Sequence, residues 1–173
     1  MLFPSKPGII VIMIASFTGH RPAKLGCGYE IPNPTYTHIC SEIRKLLLEL
    51  KPEKAISGMA LGVDQWAAQI CVDLKIPWIA AVPFEAQDLI WPTDSRAVYN
   101  SLIKKAVEVV VVVVSEGEYA SWKMQKRNIW MADHSDVIIG VWNGSPGGTA
   151  NALSYAQQQG KTIYRISPEL PVV

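Results

Sequence analysis

The chain has 173 residues, of which 49% are hydrophobic, and its 16 basic side chains nearly balance 15 acidic ones. This length and composition predict one domain, spanning residues 1–173, and they exclude an intrinsically disordered protein. The formal net charge of +1 argues against a protein that mainly grips nucleic acid, because such proteins present a strongly basic face.

Strand-like and helix-like segments alternate along the chain. The apolar or β-branched runs predict strands at residues 9–16, 54–57, 78–82, 109–114, 136–142 and 162–166. Between them, helical periodicity and N-cap signals predict helices from Asn33-Pro34 to Pro52, over the stripe from Val63 to Leu74, for roughly ten residues after 93–95, and over 121–134 and 148–159. Gly160 stands where a helix C-cap is expected.

Two apolar runs could be mistaken for membrane or secretion signals. The run before Ser16 is short and precedes a poor cleavage context, so we interpret it as a strand. Val109–Val114 is too short to span a bilayer as a helix. Six consecutive valines instead predict a central strand that is covered on both faces.

The alternation predicts an α/β fold: a single Rossmann-like three-layer domain with a mostly parallel sheet and helices on both faces. In such sheets ligands bind beyond the carboxyl ends of the strands. The polar or glycine-rich clusters of the chain all fall at those ends: Thr18–Arg21, Ser57–Gly62, Pro83–Gln87, Ser115–Tyr119 and Asn143–Thr149. We therefore expect one cleft, built where these loops meet.

Two glycine-rich segments stand between a strand and a helix. One is Ser57-Gly58-Met59-Ala60-Leu61-Gly62, and the other is Asn143-Gly144-Ser145-Pro146-Gly147-Gly148-Thr149. Glycine permits close approach of the backbone to a ligand, and a helix N-terminus offers unpaired N–H groups to an anion. Both segments predict contacts with a phosphate-bearing small molecule, although each could be an ordinary tight turn. Neither has the spacing of a dinucleotide fingerprint or a Walker A loop.

Several charged side chains flank these segments. In Thr18-Gly19-His20-Arg21, the imidazole and guanidinium could hold a phosphate or carboxylate. Asp64 lies in the first turn of its helix, where it could complement the helix dipole, bind a ribose hydroxyl or serve as an acid or base. Arg127 and Asn128 are adjacent, so we expect only one of them to face the cleft.

The remaining chemical groups are scattered. The histidines at 20, 38 and 134 have no metal-ligand spacing, and no nucleophile elbow is present. Cys27, Cys40 and Cys71 form no zinc or redox motif and are typical of reduced thiols in a cytoplasmic protein.

Taken together, these segments resemble the SLOG superfamily, named for the SMF/DprA and LOG proteins, and in particular its YpsA-like group. The resemblance is carried by Thr18–Pro22, Ser57–Asp64, Arg127–Met131 and the stretch from Asp136 through Gly148-Thr149. It implies recognition of a nucleotide or nucleotide-derived ligand, such as a nucleoside phosphate, NAD or an ADP-ribose-like molecule. It requires no further cofactor, and it makes a homo-oligomer a reasonable expectation.

The LOG branch implies an alternative, cleavage or transfer of an N-glycosidic bond of a nucleotide. Arg127 matches an arginine of that branch, but Asn151 stands where its catalytic glutamate would fall. An amide cannot act as a general base, so the catalytic candidates are Asp64 with Arg127, and Glu85, Glu116 or Glu118 could replace the glutamate. The DprA branch implies a second alternative, binding of single-stranded DNA.

The candidate ligand-binding residues form one set drawn from all these loops. They are Gly19, His20, Arg21, Ser57, Gly58, Met59, Ala60, Gly62, Asp64, Arg127, Asn143, Gly144, Gly147, Gly148 and Thr149.

Overall fold

The computed structural model describes residues 12–114 and 118–171. The strands are β1 Ile14–Gly19, β2 Lys54–Ser57, β3 Trp78–Val82, β4 Glu108–Val111, β5 Val137–Val141 and β6 Thr162–Ile166. The helices are α1 Pro34–Leu50, α2 Val63–Asp73, α3 Thr93–Ile103, α4 Ser121–Asp133 and α5 Gly148–Gln158, and a 3-10 turn covers Pro22–Leu25.

The six strands form one sheet in the order β4-β3-β2-β1-β5-β6, and every pair is parallel. α1, α2 and α3 cover one face and α4 and α5 cover the other, which confirms the predicted three-layer α/β fold. The chain order of the strands reverses between β1 and β5. Such a switch point opens a crevice at the carboxyl edge of the sheet, because the loops after the two strands diverge to opposite faces.

The larger core lies between the sheet and α1–α3. Its fully buried side chains include Trp78 of β3, together with Ile39, Ile43 and Leu47 on one face of α1. This stripe recurs at helical spacing, as the sequence predicted. The core holds the sheet rigid beneath the loops at its carboxyl edge.

Local signals set several element ends. The Asn33 side chain accepts a hydrogen bond from Tyr36 N at 2.9 Å, and Pro34 follows at the first helical position, so the predicted N-cap of α1 is confirmed. Gly160 follows α5 with φ +71°, a left-handed conformation that favours glycine at a helix end.

The valine run differs from its prediction. β4 covers only Glu108–Val111, and it lies at the edge of the sheet with β3 as its one neighbour there. Val109 is 46% exposed and Val114 is 84% exposed. A central position was wrong because valine favours an extended backbone at an edge as readily as in the centre, whereas strand order follows from the crossovers.

The first strand also differs from its prediction. It begins at Ile14 and continues through Gly19, because Thr18 and Gly19 pair with Gly140 and Val141 of β5. The predicted residues 9–11 lie outside the described part of the chain. Within the described ranges, no helix combines the length and the apolar character needed to cross a membrane.

Candidate functional site

A cleft of about 400 Å³ opens at the carboxyl edge of the sheet, at the switch point between β1 and β5. The loops after β1 and β2, the starts of α2 and α5, and α4 form its walls. Eight of the residues predicted from sequence line it: Gly19, His20, Arg21, Ala60, Asp64, Arg127, Gly148 and Thr149. Segments distant in sequence are therefore brought together, as the loop clusters predicted.

A buried ion pair forms the floor of the cleft. Arg127 Nη1 lies 3.5 Å from Asp64 Oδ2, and the two side chains are only 6% and 8% exposed. Arg127 Nη1 also donates to the backbone oxygen of Gly58, and Arg127 Nε donates to Asn128 Oδ1 at 2.9 Å. Besides this ion pair, Asp64 Oδ2 accepts a hydrogen bond from Ala60 N at 3.2 Å.

Burial dominates the electrostatics of this pair. Desolvation raises the pKa of Asp64 above its usual value, while the charge of Arg127 and the Ala60 N–H oppose that shift. Desolvation likewise lowers the pKa of Arg127, with Asp64 opposing it. The ion pair and this hydrogen bond both use Oδ2, so Oδ1 keeps its acceptor capacity.

The β2–α2 loop, residues Ser57–Gly62, is closed by its own side chains. Met59 N donates to Ser57 Oγ at 3.2 Å, while that hydroxyl donates to Asp64 O at 2.7 Å. Ser57, Gly58 and Met59 are buried, and a Cβ on Gly58 would collide with the Arg127 guanidinium. These residues therefore position Asp64 and Arg127, and of this loop only Ala60 lines the cleft.

The β5–α5 loop, residues Asn143–Gly147, leaves the start of α5 open. α5 begins at Gly148, and a Cβ added there would meet nothing within 4 Å. The first N–H groups of a helix have no intrahelical partners, and here Gly148 and Thr149 line the cleft. This end of the helix can donate to an anion.

A hydrogen-bond cluster joins the two sides of the switch point. Asn143 Oδ1 accepts from Ser145 N at 3.0 Å and contacts His20 Nε2 at 2.8 Å. Because a backbone N–H can only donate, the Asn143 atom is the oxygen, and His20 Nε2 must carry a proton. Burial lowers the pKa of His20, and nearby Lys24 lowers it further, against the contact with Asn143 that raises it.

The cleft also contains residues that the sequence reasoning did not select. Lys24 lines it from the 3-10 turn, and its Nζ donates to Pro146 O across the β5–α5 loop. Asn128 lines it beside Arg127, so the expectation that only one of the two faces the cleft was wrong. Their bond, Nε to Oδ1, turns both side chains the same way. Lys24 could have been selected from the sequence, because it follows the predicted site residue Arg21 by only three residues.

Other predicted residues lie beside the cleft without lining it. Gly62 packs against Pro22, Asn143 and Gly144 are exposed, and Gly147 lies close to Lys24 Nζ. The possible replacement carboxylates Glu85 and Glu118 are exposed away from it, as is Asn151. Glu116 lies outside the described residues.

The described residues show neither a metal-ligand cluster nor a reactive setting for Cys40 and Cys71. Over residues 12–114 and 118–171, no group of three His, Cys, Asp or Glu side chains could hold a metal ion. Burial raises the pKa of Cys40 to about 11 and that of Cys71 to about 12, so neither is a thiolate at neutral pH.

Comparison with protein families finds one match over most of the chain. Residues 15–169 match the YpsA family, described as the YspA SLOG family. A relative, the uncharacterized SPbeta prophage-derived protein YoqJ of Bacillus subtilis, is 35% identical over 79% of this chain and 92% of its own. A UPF0398 protein of Oceanobacillus iheyensis is 26% identical over 90% and 89%.

Two solved structures illustrate the shared fold. One is DNA processing protein A of Helicobacter pylori, whose structure concerns its single-stranded DNA binding mode. It superposes with a TM-score of 0.66 at 21% identity, and the match covers 89% of this chain and 65% of that protein. A molybdenum cofactor binding protein of Rippkaea orientalis gives 0.57 at 16% identity, covering 91% and 78%. At these identities the two likenesses show the shared fold alone.

Proposed function

The chain belongs to the YspA SLOG family, and we propose that it binds a nucleotide or nucleotide-derived ligand in the cleft at the β1/β5 switch point. The observation that carries the proposal is the charge of the cleft. Three cations, Arg21, Lys24 and Arg127, line it together with the start of α5, and Asp64 is the sole carboxylate among the described residues that do. Such a cleft favours an anion.

The phosphate of the ligand binds between Lys24 and the start of α5. Lys24 Nζ has three donors, and its bond to Pro146 O uses one of them. The N–H groups of Gly148 and Thr149 complement it, since a helix N-terminus attracts negative charge. Thr149 adds a hydroxyl at the same place.

The ribose of the ligand binds over the Asp64–Arg127 pair. Asp64 Oδ1 accepts a hydrogen bond from a ribose hydroxyl, and the positive charge of Arg127 beside the carboxylate limits repulsion of the phosphate. A charged hydrogen bond of this kind contributes about 1.5–3 kcal/mol. No additional cofactor is needed for binding.

Calorimetric titration with AMP, NAD and ADP-ribose at low salt tests the proposal. We expect at least one of them to bind, and Lys24→Ala to weaken that binding while Lys45→Ala, an exposed lysine of α1, leaves it unchanged. Absence of binding by all three at millimolar concentration would contradict the proposal. If an oligo(dT) strand bound instead, with steep salt dependence, the site would be one for single-stranded DNA.

A second candidate, cleavage of the N-glycosidic bond of a nucleotide, is favoured by one observation. Asp64 is a buried carboxylate with a raised pKa that faces a cationic cleft, a setting typical of acid–base residues. Incubation with nucleoside monophosphates should then release free base, and Asp64→Asn should abolish the release. Release that persists in the Asp64→Asn variant would remove this carboxylate from the mechanism.

A further inference from the structure

A second cavity of about 250 Å³ adjoins the cationic cleft. Arg21, Tyr119 and Met124 line both spaces, so the two lie side by side. The β3–α3 loop supplies the rest of the wall, chiefly with Phe84, Leu89 and Trp91. The character of the wall changes from cationic in the cleft to mostly apolar in this second cavity.

The apolar wall is held in place although much of it is exposed. Leu89 is 58% exposed and Ile90 is 82% exposed, next to each other on one loop. Two backbone hydrogen bonds fix the turns of this loop. Leu89 N donates to Ala86 O at 3.1 Å, and Trp91 N donates to Asp88 O at 2.9 Å. Trp91 further packs edge-on against Tyr99, with ring centroids 5.4 Å apart.

We propose that this cavity binds the planar heteroaromatic ring of the ligand whose phosphate lies in the cationic cleft. The inference rests on the proposed function and adds the ring to the phosphate and ribose. Aromatic and aliphatic side chains bind the faces of such a ring by stacking and apolar contact. Arg21, at the junction, can place its guanidinium over the same ring.

Gln87 gives the cavity a polar group for the ring edge. It is buried, and its Nε2 donates to Tyr99 Oη at 3.4 Å. That bond uses one of the two amide donors and leaves the amide oxygen as an acceptor. A ring with exocyclic amino groups or ring nitrogens fits this pattern, as both purines and pterins do.

The size of the combined space supports one ligand rather than two. The cleft and the cavity measure about 400 and about 250 Å³. Small-molecule sites span about 300–1,000 Å³ and are mostly apolar with a few placed polar groups. A ring in the apolar cavity, with the pentose and the phosphate beyond the shared junction in the cationic cleft, matches the order of the two spaces.

The test compares ligands with and without the ring. AMP and neopterin monophosphate carry a purine and a pterin ring, whereas ribose 5-phosphate carries none. We expect one of the two ring ligands to bind at least about tenfold more tightly than ribose 5-phosphate, because one buried apolar contact surface of this kind gives about that factor. The tighter of the two ring ligands shows whether the cavity prefers a purine or a pterin ring.

Variants then locate the ring. Ile90→Ser should weaken the preferred ring ligand about tenfold and leave ribose 5-phosphate unchanged. Val98→Ser is the control, since Val98 is another exposed aliphatic residue, on α3, that lines neither space. It should change neither affinity. Because Ile90 is so exposed, its substitution should not disturb folding.

The remaining outcomes contradict either the ring site or the proposed function. If ribose 5-phosphate binds as tightly as both ring ligands, the ring site is overturned while the anion site stands. If Ile90→Ser dissociates an oligomer without changing ligand affinity, the loop contacts a second copy of the chain and the ring site is again overturned. If none of the three phosphates binds, the proposed function fails and this inference fails with it.

Discussion

The two glycine-rich loops of this protein look alike in sequence and have opposite structural roles. In the β2–α2 loop, a serine hydroxyl and the Asp64 carboxylate occupy the N–H groups of Met59 and Ala60. In the β5–α5 loop, Gly148 has free space beside it and the first turn of α5 faces the cleft. One loop supports the buried ion pair, and the other leaves backbone donors available.

The difference arises from a side chain far away in sequence. Arg127 reaches across 69 residues to the backbone oxygen of Gly58 and occupies the space that a Cβ would need. Gly58 is therefore required for packing against a guanidinium. No comparable side chain covers Gly148, so glycine at the two positions answers different demands.

The largest effect should come from breaking the ion pair that the first loop supports. Arg127→Met should lower the free energy of unfolding by about 3–5 kcal/mol, because it leaves Asp64 buried without its partner. Urea denaturation measures the change. The double variant Arg127→Met with Asp64→Asn should lose less than the sum of the single variants. Additive losses would show that the two side chains are not coupled.

A matched pair of alanine substitutions tests the comparison directly. Gly58→Ala should lower the free energy of unfolding by about 1–3 kcal/mol, since the added methyl displaces the Arg127 guanidinium. Gly148→Ala should change it by less than about 0.5 kcal/mol, because nothing lies near the new methyl. Thermal and urea unfolding of both variants supply the measurement. Equal losses would mean that the loops do not differ as described.

The cleft beside the open loop should bind anions in a salt-dependent way. Arg21→Ala should weaken binding of AMP about tenfold and reduce its dependence on salt, because an exposed cation lining the cleft is lost. Arg44→Ala is the control, since Arg44 pairs with Asp73 on the α1–α2 side and lines neither space. Calorimetry at two salt concentrations measures both. An unchanged salt dependence for Arg21→Ala would place the anion elsewhere.

The sequence predicted the fold and half of the residues that line the cleft, because both depend on local patterns. Strand and helix periodicity, the Asn33 cap and the position of polar clusters at strand ends are readable over a few residues. Three features were not predicted from the sequence. They are the edge position of β4, the closure of the β2–α2 loop, and the shared direction of Arg127 and Asn128. Each of these depends on contacts between distant segments, which no local pattern encodes.

The smallest predicted effect concerns His20, which joins the two sides of the switch point. Burial lowers the pKa of His20, so folding favours the neutral imidazole. The stability that His20 contributes is therefore fully present above its pKa in the unfolded chain, which is about 6.5. That stability is lost as the pH falls from there toward the pKa in the folded protein. His20→Gln should therefore lose less stability than the wild type between pH 7.5 and 5, by under about 1 kcal/mol.

Anion binding in the open cleft should reverse that shift. His20 lines the same cleft as Lys24, whose charge helps to lower the His20 pKa, and a phosphate bound there would offset that charge. NMR titration of the His20 ring with and without inorganic phosphate should show a higher pKa with phosphate and a smaller rise in Lys24→Ala. If phosphate left the His20 pKa unchanged, the anion would not lie beside the β5–α5 loop, and the contrast between the two loops would be confined to packing.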